Sequence, residues 1–156
     1  MFEGRIVGIY VAPGDGAPME ARDEVRAIAG KGLEGDRYAI EAGKYSGTRI
    51  ADSQRAVTLI EREAVMGAAN EYGIELAEGE TRRNLVTEGV ALNHLVGREF
   101  LVGPVRLRGF DLSEPCAYLE EHTRPGVRKA LIHRGGLRAE ILDDGPIRVG
   151  DPITPA

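Results

Sequence analysis

Glu99-Phe100-Leu101-Val102-Gly103-Pro104-Val105-Arg106-Leu107-Arg108 is the stretch of this 156-residue chain that indicates its fold most directly. Two short runs rich in strand-forming residues flank Gly103-Pro104, a dipeptide typical of tight turns. In the second run apolar and charged residues alternate, which places the apolar side chains on one face of a strand. The stretch therefore predicts a β-hairpin with one buried face.

Further short strands are predicted on both sides of this hairpin. Apolar runs rich in β-branched residues occur at 5–12, 25–29, 57–60 and 84–87. Beyond the hairpin, residues 137–141 alternate in the same way, and a further apolar stretch, 147–153, follows a turn at 143–146. We expect these last two stretches to form a closing pair of strands.

Helical spacing of apolar residues is confined to short segments, namely 61–72 (closed by Gly73), 91–96, 116–122 and 127–133. Residues 30–55 carry five glycines among charged and hydroxyl residues, which predicts a long loop. Loops longer than roughly 12–15 residues are usually functional or disordered. The whole pattern predicts one domain, residues 1–156, of a mainly β fold with peripheral helices (α+β) and a curled, barrel-like sheet.

Charge and cysteine content exclude several classes of protein. A formal net charge of -5 argues against nonspecific binding to nucleic acid or to an anionic membrane, because both select a basic surface. The single cysteine cannot form an internal disulfide. No export signal is visible, and no apolar stretch approaches the roughly 20 residues that would cross a bilayer. We expect a soluble protein of the reducing cytoplasm.

Cys116 is the candidate reactive residue. It follows Ser113-Glu114-Pro115, just after a predicted strand and at the predicted start of a helix, where backbone N–H groups would favour a thiolate. The alternative is an inert cysteine that packs as a small hydrophobic residue, as most single cysteines do. The sequence leaves both interpretations open.

Two polar segments are candidates for anion binding. Gly32-Leu33-Glu34-Gly35-Asp36-Arg37 could bring backbone amides close to an anion, or could be a turn fixed by contacts of Asp36. Thr81-Arg82-Arg83-Asn84 offers two guanidinium groups and an amide, suited to phosphate and to a pterin or purine edge, or is a solvated strand end. With Arg55 and Arg134, these arginines could form a local basic pocket once the chain folds.

The histidines make a poor metal site, because His94, His122 and His133 have no close spacing and a single cysteine adds too few ligands for structural zinc. A cysteine hydrolase that pairs Cys116 with His122 or His133 is neither supported nor excluded by the spacing.

Taken in order, these motifs resemble those of the MOSC domain family, named for the C-terminal domain of molybdenum-cofactor sulfurase. The matching stretches are 32–37, Arg55 with 57–60, 81–86, 114–116, 134–139 and 145–151. Each motif is weak by itself, but the whole set in the same order over nearly the whole chain is specific. One position departs from the pattern: Tyr38 stands where many members have histidine after Gly-Asp-Arg.

The resemblance implies a barrel-like fold and a pocket for the molybdenum cofactor, molybdopterin. It implies that the cofactor is held by Gly35, Asp36, Arg37, Arg55, Arg82, Arg83, Asn84 and Arg134. In this interpretation Cys116 is both the catalytic residue and the metal-binding residue. Its thiolate would act either as a persulfide carrier or as a ligand of molybdenum. The family is also associated with pyridoxal phosphate.

Three roles remain open at this point: sulfur carrier, reductase of N-hydroxylated compounds, and noncatalytic cofactor carrier. The partners implied are a cysteine desulfurase or an electron-donor protein, and a molybdoenzyme as acceptor. An electron donor is required for the reductase role because the sequence lacks ferredoxin-type cysteines.

Overall fold

A computed structural model describes residues 1–48 and 51–156 of the chain. Within these ranges the strands are β1 Gly4–Val11, β2 Glu20–Arg22, β3 Glu24–Ile28, β4 Gly32–Leu33, β5 Val57–Glu61, β6 Leu85–Glu88, β7 Glu99–Val102, β8 Val105–Leu112, β9 Leu137–Ile141, β10 Gly145–Arg148 and β11 Pro152–Pro155. The α-helices are α1 Arg62–Tyr72, α2 Ala117–Glu121 and α3 Val127–Ala130. Short 3₁₀-helices occur at Arg37–Ile40, Asp52–Arg55, Glu78–Thr81 and Leu92–Leu95.

Seven of the strands close into a barrel, so the fold is mainly β, as the sequence predicts. The strand order is β11-β7-β8-β9-β5-β6-β1, and β1 pairs with β11 to complete the ring. β2 extends the sheet beside β1. Neighbouring strands are antiparallel except β5 and β6, which are parallel and are connected through α1. A parallel pair needs such a crossover because a tight turn can join only antiparallel strands.

The barrel interior is filled by the alternating apolar residues of its strands. In the predicted hairpin, Phe100, Val102, Val105 and Leu107 are fully buried, while the charged residues between them point outward. Phe100 lies opposite Leu107 in the β7–β8 register. Burial of a large apolar side chain contributes about 1.5–3 kcal/mol, so this alternation is a main source of stability.

The helices cover the outside of the barrel on one side. α1 buries Ala64, Val65 and Ala68, and it ends at Gly73 with a left-handed φ of 68°, as predicted for its C-terminal cap. Ala68 belongs to a second apolar cluster with residues of α2 and α3. Within the described ranges, no helix is long and apolar enough to span a bilayer.

The two closing stretches do not pair with each other, which corrects the sequence prediction: β9 pairs with β5 and β8, and the second stretch is divided between β10 and β11. β10 leaves the barrel and pairs with β3 in a separate three-stranded sheet, whereas β11 pairs with β7 and β1. The turn before β10 is held by Asp144, whose side chain accepts a hydrogen bond from the backbone N–H of Ala29. This long-range contact holds the turn beside the end of β3.

The predicted long loop contains more regular structure than its glycines suggest, since β4 and two 3₁₀-helices lie within 30–55; residues 49–50 of it are outside the described residues. The predicted helices at 116–122 and 127–133 are shorter than expected, at five and four residues. His133, with a left-handed φ of 62°, lies beyond the shorter α3.

Candidate functional site

A cavity of about 640 Å³ lies at the edge of the barrel where β5, β6 and β9 begin and β8 ends. Its wall is formed by the loop after β4, the turn before β6, and the segment that connects β8 to α2. The volume falls within the range of about 300–1,000 Å³ found for small-molecule sites. This is the place where the sequence segments singled out above come together.

Cys116 lies in the wall of this cavity and is partly exposed. The segment that carries it is tied to the barrel by the Ser113 N–H, which donates to the Gly136 carbonyl at 2.7 Å. Any side chain at Gly135 or Gly136 would collide with the Ser113 or Leu59 carbonyl, at 2.6 and 2.2 Å. The Gly-Gly pair is therefore required for the close passage of chain that positions the cysteine.

The environment of Cys116 favours its thiolate. Burial is the largest single effect and raises the pKa of the thiol, but the hydrogen bond from the Tyr45 hydroxyl, which donates to Sγ at 3.2 Å, and several weaker effects together outweigh it, so the pKa is lowered overall. The N–H groups of Tyr118 and Leu119 and the charge of Arg83 act in the same direction, although no regular capping hydrogen bond forms at this short helix. A thiolate is the form that attacks electrophiles and binds metals.

Tyr45 is a stable hydrogen-bond donor to this sulfur. The hydrogen bond with Cys116 and burial raise its pKa to about 12, so the phenol keeps its proton throughout the physiological pH range. The ring of Tyr45 also lies under Arg55, with 5.3 Å from Cζ to the ring centroid.

Positive charge dominates the cavity. Among the described residues its wall includes six cationic side chains, Arg37, Lys44, Arg55, Arg82, Arg83 and Arg138, against the carboxylates of Asp111 and Glu114. A cavity lined by one sign of charge concentrates ligands of the opposite sign. The site therefore suits an anionic ligand, although the protein as a whole is acidic.

Arg83 joins the cysteine segment to the rest of the site. Its Nε and Nη2 donate to the carbonyls of Gly135 and Ser113, both at 2.8 Å. Burial lowers the pKa of Arg83 to about 10, while the nearby Cys116 works against this shift by favouring the cation. Arg83 is therefore cationic at neutral pH and supports an anionic sulfur.

Asp36 fixes the turn at 32–37, as one of the two interpretations of that segment predicts. Its carboxylate is 1% exposed and accepts hydrogen bonds from the N–H groups of Ala12 and Tyr38 and from Nη1 of Arg37, the last at 2.9 Å. The turn holds Arg37 in the cavity wall, but Gly35 and Asp36 themselves lie outside the lining.

Two arginines of the wall are buried without full hydrogen bonding. Arg55 and Arg82 are 7% and 9% exposed. Nε of Arg55, and Nε and Nη2 of Arg82, have no acceptor among residues 1–48 and 51–156, and the same holds for Nε of the less buried Arg138. Burial lowers the pKa of both Arg55 and Arg82. Unsatisfied buried donors cost about 1–3 kcal/mol each, so they point to an anion that completes the site.

Two other residues expected at the site have different roles. The Asn84 side chain bonds Thr58 and the Tyr10 carbonyl, so it joins strands instead of facing the cavity. Arg134 lies against α1, where Nη2 is 3.0 Å from Glu71. Neither residue belongs to the lining. Of the nine expected residues, the structure brings together Arg37, Arg55, Arg82, Arg83 and Cys116.

Sequence reasoning missed Tyr45, Lys44, Tyr118 and Arg138. Arg138 was within a recognised motif, 134–139, and its alternation with buried neighbours on β9 was the available signal. Tyr45 and Lys44 lie in the glycine-rich loop, where no periodicity could have singled them out. Lys44 Nζ lies 5.4 Å from the ring centroid of Tyr118.

The association with pyridoxal phosphate, which the resemblance implied, has no support from the described residues or from the comparisons.

The histidines do not form a pair with the cysteine. His133 lines the cavity, but its Nδ1 lies 2.8 Å from Glu114, and His122 Nδ1 contacts the Tyr118 carbonyl. Among the described residues the hydrogen bond to Sγ comes from Tyr45. The geometry gives no support to the hydrolase interpretation.

Fold and site together define a small β-barrel protein with a cationic cavity built around a thiol. The family model "MOSC domain" matches residues 33–154, and the chain therefore belongs to the MOSC domain family. This family is generally linked to binding of the molybdenum cofactor.

Solved structures show the same fold. The YuaD protein from Bacillus subtilis superposes with a TM-score of 0.80 at 18% identity, over 98% of this chain and 97% of that one. YiiM from Geobacillus stearothermophilus gives 0.72 at 18% identity, over 97% of this chain and 74% of that one. YiiM from Escherichia coli gives 0.67 at 20% identity, over 96% and 68%. No curated protein matches the sequence significantly.

Proposed function

We propose that the cavity binds the molybdenum cofactor and that Cys116 presents its thiolate to the molybdenum. The observation that carries this proposal is a reachable thiol of lowered pKa in a wall of arginines, two of which are buried with unsatisfied N–H groups among the described residues. The residues present fit the group: the guanidinium forks suit its phosphate, and the thiolate suits a soft metal.

The arginines would hold the anionic end of the cofactor. Arg82 and Arg37 are neighbours, since Nη2 of Arg37 lies 3.4 Å from the Arg82 carbonyl. A phosphate bound there would accept hydrogen bonds from buried N–H groups that otherwise have no acceptor among the described residues. Charge-assisted bonds of this kind are roughly twice as strong as neutral ones.

Cys116, Tyr45 and Arg83 would hold the reactive end. Tyr45 donates to Sγ in a hydrogen bond, and Arg83 donates to the carbonyl of Ser113, in the segment that carries the sulfur, and to that of Gly135, which packs beside it. The bound cofactor would supply a redox-active metal with two dithiolene sulfurs. Reduction of an N-hydroxylated compound at this site would require electrons from a separate donor protein.

The same thiolate supports a second candidate function, that of sulfur carrier. In that role the Cys116 thiolate attacks the terminal sulfur of a persulfide on a cysteine desulfurase. A new S–S bond forms on Cys116, the S–S bond of the donor breaks, and the donor cysteine leaves as a thiolate. The lowered pKa and the partial exposure of Cys116 favour this attack.

Reconstitution with cofactor tests the proposal. Wild type, Cys116→Ser and the exposed control Arg128→Gln are loaded with cofactor, and molybdenum and pterin are measured on the desalted proteins. We expect both components on wild type and on Arg128→Gln, and less of both on Cys116→Ser, because the variant lacks the protein ligand to the metal. Equal, negligible molybdenum on wild type and Cys116→Ser would remove the ligand role. Equal, high molybdenum on both would indicate a noncatalytic carrier.

Mass spectrometry tests the carrier role separately. After incubation with a cysteine desulfurase and cysteine, the peptide that contains Cys116 should gain the mass of one sulfur atom, and reductant should remove it. A wild-type protein that gains no sulfur while the desulfurase is active would refute the carrier role without affecting metal binding.

A further inference from the structure

The unsatisfied guanidinium groups of the cavity fall into two separate groups. One contains Arg55 and Arg138, where burial and the charge of Arg138 lower the pKa of Arg55, and the other contains Arg82 with its neighbour Arg37, where burial and the charge of Arg37 lower the pKa of Arg82. Arg55 and Arg82 are both more than nine-tenths buried, and both line the cavity.

Strand pairing brings Arg55 and Arg138 together. Arg138 lies opposite Thr58 in the β5–β9 register, and Arg55 ends the 3₁₀-helix that leads into β5 and packs against β9. Nη2 of Arg55 donates to Thr48 at 2.7 Å, and Nη2 of Arg138 donates to the Leu112 carbonyl at 3.2 Å. Each guanidinium is thus held in place, while its Nε has no acceptor in the described part of the chain.

The Arg82 group is held by different parts of the chain. Arg82 lies in the turn before β6 with a left-handed φ of 61°, and its Nη1 donates to the Ala17 carbonyl at 2.8 Å. Arg37 is already neutralised by the buried carboxylate of Asp36. Arg82 Nε and Nη2 are the donors of this group that have no acceptor in the described ranges.

The Arg55 group is connected to the reactive sulfur. Arg55 lies over the ring of Tyr45, and the hydroxyl of the same tyrosine contacts Sγ of Cys116. A small molecule that reacts at Cys116 or at a metal beside it can therefore place an anionic group against Arg55 and Arg138.

We propose that the cavity contains two oxyanion subsites, that the Arg37–Arg82 subsite binds the cofactor phosphate, and that the Arg55–Arg138 subsite binds a carboxylate or phosphate group of the substrate. The inference rests on the proposed function, because it assigns one subsite to the cofactor. Molybdopterin carries one terminal phosphate, so the second cationic subsite remains for another anion. The substrate class is then a small anionic compound.

Equilibrium dialysis with radiolabelled inorganic phosphate at low ionic strength counts the subsites. The cofactor-free wild type should bind two phosphate ions, and the cofactor-loaded wild type should bind one. Arg55→Gln should lose about tenfold or more in affinity for one of the two ions, because a charge-assisted hydrogen bond is removed. Arg82→Gln should lose the other, and Arg128→Gln should bind as wild type does.

Further variants and competitors keep the test decisive. If Arg55→Gln folds poorly, Arg138→Gln tests the same subsite at a partly exposed residue. It should weaken the binding of the same phosphate ion. Competition by acetate or by methyl phosphate for the ion that remains after loading distinguishes a carboxylate from a phosphate substituent. A single ion on cofactor-free wild type, or loss of the remaining ion in Arg82→Gln instead of Arg55→Gln, would overturn the inference. Two phosphate ions on a protein that never takes up cofactor would refute the proposed function alone.

Discussion

The barrel interior and the cationic cavity follow opposite rules. The main core cluster consists of apolar side chains from facing strands. The cavity lies at the ends of the same strands. It buries Arg55 and Arg82, which have N–H groups without an acceptor among the described residues. A buried, uncompensated charge destabilises a protein, whereas apolar packing stabilises it. The contrast indicates that the apolar interior stabilises the fold, whereas the arginines of the cavity are suited to binding an anionic ligand.

Removal of a core side chain should have the largest effect on stability. Phe100 is 0% exposed and packs between strands of the barrel. Phe100→Ala should lower the free energy of unfolding by about 3–5 kcal/mol, because it removes apolar burial and leaves a cavity. Urea unfolding followed by circular dichroism measures the change. Phe110→Ala, at a half-buried position on the same hairpin, is the control and should cost clearly less. Equal losses would contradict the assignment of the core.

Replacement of a cavity arginine that has no carboxylate partner among the described residues should have a smaller effect of opposite sign. Arg55→Met should stabilise the cofactor-free protein by about 1 kcal/mol, or roughly 2–4 °C in Tm, because a buried charge is removed while its packing volume is kept. Burial lowers the folded-state pKa of Arg55, so the charged side chain destabilises the wild-type fold at every pH below that pKa. The increase in the free energy of unfolding of Arg55→Met over wild type should therefore persist from acidic to mildly alkaline pH.

Arg37→Met is the matched comparison for this gain. Arg37 pairs with the buried Asp36, so its removal leaves a carboxylate without its cation and should destabilise the protein. If Arg55→Met also destabilised the protein, Arg55 would be a structural residue and the contrast between the two regions would fail.

Loss of the hydrogen bond to the thiol should have the smallest effect. Tyr45→Phe removes the donor that favours the Cys116 thiolate, so the pKa of the thiol should rise. The pH profile of iodoacetamide alkylation should shift to higher pH, while stability near neutral pH changes little. The pKa of Cys116 is lower in the folded state than in the unfolded state. The thiolate therefore stabilises the fold fully at pH values above the unfolded-state pKa, and this stabilisation is lost as the pH falls through the folded-state pKa. The difference in unfolding free energy between Tyr45→Phe and wild type should therefore grow at alkaline pH. An unshifted alkylation profile would show that Tyr45 does not control the pKa of the thiol.

The strands of the barrel could be predicted because their information is local. The alternation in the β7–β8 hairpin and in β9 follows from side chains that point to opposite faces at every second residue. The partners of β10 and β11 could not be predicted, because apolar alternation shows which face is buried but not which strand lies beside it. A side-chain contact between Asp144 and the backbone of Ala29 is among the interactions that determine this choice.

By itself the sequence determined the mainly β composition of the fold, the single thiol, and the arginine-bearing segments that could surround it. Only the tertiary structure decided which of these side chains meet. It brings Tyr45 to Cys116 across 71 residues, adds Arg138, and directs Asn84 and Arg134 elsewhere. The physical reason is that strand propensity depends on neighbouring residues, whereas the cavity is created when distant strands pair and the barrel closes.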